Sequence, residues 1–108
     1  MNWREARDGT LRQWTAIRDA LEQADPVYLL TEINAVCGLC EKSDQEAGNP
    51  FERCRYCLFY QQFGGCQEFS GDLSERVADK DWEGARWMID DMIEKLSRLE
   101  LPGSAAAA

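Results

Sequence analysis

Every cysteine of this chain falls between Cys37 and Cys66, and neither flank contains one. The segment reads Cys37-Gly38-Leu39-Cys40, a polar stretch, Cys54-Arg55-Tyr56-Cys57, and then Gly64-Gly65-Cys66. A Cys-x-x-Cys pair can place two sulfurs on one ion, and the thirteen residues between the pairs suffice to fold the second back onto the first. The spacing therefore predicts a four-thiolate metal site built from Cys37, Cys40, Cys54 and Cys57. Five thiols also allow a second set, in which Gly64-Gly65 turns the chain so that Cys66 replaces Cys54 or Cys57. Outside the coordination set, Cys66 reads as a small buried thiol, or as a redox sensor if it is exposed.

A chain of 108 residues buries only a modest core, so a metal staple adds substantially to its stability. No apolar leader opens the sequence, and no apolar run approaches the roughly 20 residues that cross a bilayer. The expectation is one domain over residues 1–101 in a reducing cytoplasm, where clustered thiols serve as ligands more often than as disulfides. The remainder, 102–108, ends in Gly103-Ser104 and four alanines, and reads as a disordered or vector-derived tail. Histidine is absent, which excludes mixed Cys/His fingers, Ser-His-Asp triads and Cys-His proteases. A net charge of −8 repels a phosphate backbone and disfavours nucleic acid. The arginines at 4, 7, 12 and 18 make the N-terminal stretch the one locally basic exception.

Four protein thiolates leave zinc no open position for water, so Zn2+ here is expected to be structural rather than catalytic. An iron–sulfur cluster is the alternative, since four thiolates suit either centre; the tightly repeated cysteine run of bacterial ferredoxins is missing. A zinc tetrathiolate carries two negative charges. Lys42, Arg53 and Arg55 are the only basic residues between Asp25 and Gly71, and all three stand within two positions of a cysteine as candidate compensators.

The flanks read as helices. Asn2 with Glu5 and Thr10 with Gln13 both have capping-box spacing, so the first helix begins near Trp3 or at Leu11 and carries Trp14, Ile17 and Leu21 on one stripe. Asp25-Pro26 starts a second helix that leads into Cys37. Residues 41–50 lack periodicity and read as a loop. Asn49-Pro50 opens a third helix running to Phe63, with Cys54 and Cys57 neighbours on one face. Asp72 and Glu75 cap a short helix, and Asp81 starts a long one carrying Ala85, Ile89, Met92 and Leu96. The fold class is therefore all-α, four to five helices around the cysteine segment, with first and last helices antiparallel.

The cysteine spacing resembles the core of small zinc-ribbon and treble-clef modules, over about a quarter of the chain. A second pair at a helix start is like a treble clef, whereas Glu41 after Cys40 departs from the glycine usual in zinc knuckles. The resemblance implies a structural metal and leaves the task of the domain open. Taken together, the expectation is a non-enzymatic, zinc-stabilised helical module that binds another protein or serves as an accessory domain. A small iron–sulfur electron-transfer or redox-sensing protein is the alternative. Trp3 and Trp87 mark a surface for a protein partner or a second copy of the chain. Asp90, Asp91 and Glu94 read as a solvated face rather than an acid/base pair.

Overall fold

Asn2 decides where the chain first becomes helical. Its side chain accepts a hydrogen bond from the Glu5 N–H at 2.8 Å, and α1 runs Trp3–Leu21 in the computed structural model, which describes residues 1–102. The tail assigned to vector or disorder lies, from Gly103 onward, outside the described residues. Thr10, the rival start, sits inside α1, and its buried hydroxyl donates to the Ala6 carbonyl at 3.0 Å. Asp25 caps α2 (Pro26–Ile33) by accepting from the N–H groups of Val27 and Tyr28. Asp81 does the same for α7 (Trp82–Ser97) through the Gly84 N–H at 3.0 Å.

The first and last helices pack antiparallel. Leu21 at the end of α1 and Ala24 just beyond it line a cleft with Trp82 and Arg86 at the start of α7, and Trp14 lines another with Met92 and Leu96 farther along α7. Ile17, Ile89 and Leu96 are fully buried in this seam, each contributing about 1.5–3 kcal/mol from burial. Leu29 and Ile33 of α2, with Leu73 and Val77 of α6 (Cys66–Ala78), continue the same core. Trp14 and Phe69 join the two parts edge to face, their centroids 5.6 Å apart. The fold is all-α, and no helix among the described residues is long and apolar enough to cross a membrane.

Three local expectations are corrected. The stretch read as a loop is largely α3 (Gly38–Ala47). Its fully buried residues are Leu39 and Ser43, one turn apart, too narrow a stripe to show as periodicity. What holds it is α1. The Thr10 hydroxyl accepts from the Leu39 N–H at 3.1 Å, capping α3 from another helix, because its own N-cap Cys37 makes no capping bond. The third helix is broken into a 3-10 turn (Pro50–Glu52), α4 (Arg53–Tyr56) and α5 (Leu58–Phe63), with Cys57 extended between the last two at φ −80°, ψ 122°. Cys57 and Phe59 are both buried, and on an unbroken helix residues two apart point to nearly opposite sides. The break lets both reach one core. Finally, α6 begins at Cys66 itself, six residues before the expected cap at Asp72, and the described residues thus hold seven α-helices instead of four or five.

Gly38 shows how closely α3 approaches α1. A Cβ there would lie 2.8 Å from the Ala6 carbonyl oxygen, a backbone atom that cannot swing away. Gly38→Ala is expected to lower stability by about 1–3 kcal/mol, read as a lower urea midpoint at unchanged slope. Gly9, inside α1 and open apart from an Arg12 side-chain atom at 3.8 Å, supplies the contrast. Gly9→Ala should raise the midpoint, since alanine is the better helix former by up to about 1 kcal/mol.

Candidate metal centre

Cys37 stands at the N-cap of α3 with an extended backbone (φ −94°, ψ 167°), and Cys40 follows one turn in. Their sulfurs are hydrogen-bonded at 3.6 Å. This bond holds the Cys37 thiol down to about 6, aided by the backbone N–H groups of Cys40 and Leu39 and by the Thr10 hydroxyl, and opposed by burial. The Cys40 thiol moves the other way. The same bond raises it, as do burial and the charges of Cys37, Cys66 and Cys57. Helix-start N–H groups favour an anion, the same direction as the shift at Cys37.

Cys54 lies within α4, Cys57 at the α4–α5 break, and Cys66 at the first position of α6. All five are free thiols. Burial pushes the Cys66 thiol up to about 11, with the charges of Cys37, Cys57 and Cys54 adding to the shift and Arg53 opposing it. Of the cysteines that the spacing singled out, Cys37, Cys40 and Cys57 line one cavity together with Cys66, and Cys54 does not.

Tetrahedral zinc with Zn–S bonds near 2.3 Å places neighbouring sulfurs roughly 3.8 Å apart. The 3.6 Å separation of Cys37 and Cys40 is close to that edge. Among the described residues, no three Cys, Asp or Glu side chains stand close enough to hold one ion as placed. Completing a coordination sphere thus calls for movement of the remaining thiols toward the Cys37–Cys40 pair. Thiolates of this number and type suit zinc or iron, and the donor set is soft throughout.

Of the three basic residues expected to offset the thiolate charge, Arg53 is in position. It grips the Asp44 carboxylate with two bonds of 2.9 Å, which tie α4 to α3, and its guanidinium also interacts with Cys40. Lys42 instead pairs with Glu46 at 2.7 Å and lies 5.7 Å over the Trp3 ring. Arg55 is exposed. Trp3 is consequently half-buried, whereas Trp87 is 71% exposed. The acidic residues of α7 behave as a solvated face: Asp91 pairs with Lys95 at 2.9 Å, and Asp90 faces Arg18 at 3.9 Å.

Sequence reasoning missed Thr10, Gly38 and Asp44. The sequence marks Thr10 only as a cap of its own helix, yet its hydroxyl accepts from the Leu39 N–H, and the residue lines the same cavity as Cys37. The glycine inside Cys-Gly-Leu-Cys was the one available signal of close packing at the site. Comparison with models of protein families, with curated proteins and with solved structures finds no match for this chain.

Proposed function

We propose that this chain is a non-enzymatic helical module whose cysteine segment is held by one structural zinc ion. The observation that carries the reading is the 3.6 Å separation of Cys37 and Cys40 at a helix start docked on α1. That pair forms one edge of a tetrathiolate, and two of Cys54, Cys57 and Cys66 complete it. When bound, zinc supplies a cross-link and positive charge, with no open position for chemistry. The residues of the chain do the rest: Thr10 and Gly38 seat the pair against α1, and Arg53, anchored by Asp44, offsets the thiolate charge. Free thiols used as ligands fit a reducing cytoplasm.

The partner is read as another protein. Phe51 is 97% exposed, and Tyr56 and Tyr60 on the same broken helix are also exposed. Large aromatics left in water are enriched at protein interfaces. The acidic balance of −8 directs the choice away from nucleic acid and toward a surface of basic character.

An iron–sulfur centre remains the second reading, narrowed by the same distance. In a cubane the cysteines ligate different irons, which sets their sulfurs well apart, whereas two sulfurs 3.6 Å apart suit a single ion or one iron of a [2Fe–2S] centre. Elemental analysis of freshly purified protein separates the two. The expected result is a colourless protein with one zinc per chain. Brown protein containing iron and labile sulfide overturns the zinc reading.

A further inference from the structure

We infer that the two ligands completing the site are Cys57 and Cys66, so that Cys54 stands outside the coordination sphere although it belongs to the second Cys-x-x-Cys pair. The inference rests on the zinc reading above. Cys37, Cys40, Cys57 and Cys66 all line one cavity of about 380 Å³, and Cys54 does not.

The backbone explains the division. On a continuous helix Cys54 and Cys57 would lie on one face and chelate as a pair. The break at Cys57 undoes this relation, and Cys57 becomes the most buried of the five, 8% exposed. Arg53 reaches the same cavity from α4. Successive residues of a helix project about 100° apart, so an α4 with Arg53 on the cavity carries Cys54 around its side. Cys66 arrives from the other direction. Gly64 and Gly65 adopt φ of 76° and 26°, values that side-chain-bearing residues rarely take, and Cys66 follows them as the first residue of α6. The ligands then come from three places: the start of α3, the α4–α5 break and the start of α6. One ion would fix all three relative to α1.

Cobalt substitution of the full chain tests the assignment, with wild type, Cys54→Ser and Cys66→Ser compared. Cys54→Ser is expected to keep the intense thiolate-to-cobalt charge-transfer band of four sulfurs. Cys66→Ser should lose about a quarter of that intensity, one thiolate in four, or fail to bind. Alkylation of the zinc-loaded wild type, mapped by mass spectrometry, gives a second readout that needs no variant to fold. Iodoacetamide should label Cys54 with zinc retained, while Cys66 is protected. Loss of the band in Cys54→Ser, or labelling of Cys66 ahead of Cys54, overturns the inference and leaves the zinc reading standing. A wild-type chain that takes up neither zinc nor cobalt removes the zinc reading itself, and this assignment falls with it.

Discussion

Cys40→Ser is expected to abolish zinc binding and to leave the chain largely unfolded at neutral pH. On the zinc reading proposed above, Cys40 belongs to each of the four-thiol sets that the spacing offers, and it supplies half of the 3.6 Å Cys37–Cys40 pair. Its sulfur also interacts with the Arg53 guanidinium, which binds Asp44 and so links α4 to α3. Zinc capture by comparable sites is worth about 10–16 kcal/mol, as large as the roughly 5–15 kcal/mol that holds a whole domain together. Losing one thiolate therefore threatens the fold as well as the site. Far-UV circular dichroism and zinc content of the purified variant measure both. Native helicity with a full equivalent of zinc would show that Cys40 is no ligand.

Chelation of the wild-type protein should act unevenly along the chain. Residues 37–66 hold the cysteines, and their short helices bury few side chains: Leu39 and Ser43 in α3, none in α4 and Phe59 alone in α5. These segments are expected to lose amide protection first and most completely when zinc is removed. The α1–α7 pair divides. Thr10, Trp14, Met92 and Leu96 line the thiol cavity, so that end should loosen along with the cysteines. Ile17, Leu21, Ala85 and Ile89 are buried farther along the seam and should keep measurable protection. It should be weak, because an isolated helix pair of this length is marginal in water. Hydrogen exchange with and without a chelator resolves the segments. Simultaneous loss at Ile17 and at Leu39 would mean that the metal holds one cooperative unit, against this division.

Where the sequence spoke clearly, the governing contacts were local. Asn2, Asp25, Asn49 and Asp81 each accept hydrogen bonds from N–H groups two or three residues ahead, so a helix start can be read from a few adjacent letters. The long stripes of α1 and α7 were legible for a related reason. A wide apolar face repeated over four turns leaves a periodic trace, and the two faces then find one another. The confinement of all five thiols to Cys37–Cys66 likewise placed the candidate site without any knowledge of the fold.

The tertiary structure decided what happens inside that segment. The helicity of α3 depends on a hydroxyl 29 residues upstream, Thr10, and on the close fit of Gly38 to the Ala6 carbonyl, and no window of polar residues from 41 to 50 can announce either. The break at Cys57 follows from burying Cys57 and Phe59 in a core assembled from distant helices. The repeated Cys-x-x-Cys spacing suggested two equivalent chelating pairs, because spacing on an assumed helix fixes which side chains share a face. Once the backbone turns between Cys54 and Cys57, that rule no longer applies. The left-handed backbone at Gly64-Gly65 precedes Cys66, which lines the cavity with Cys37, Cys40 and Cys57 through a non-local geometry that spacing does not encode.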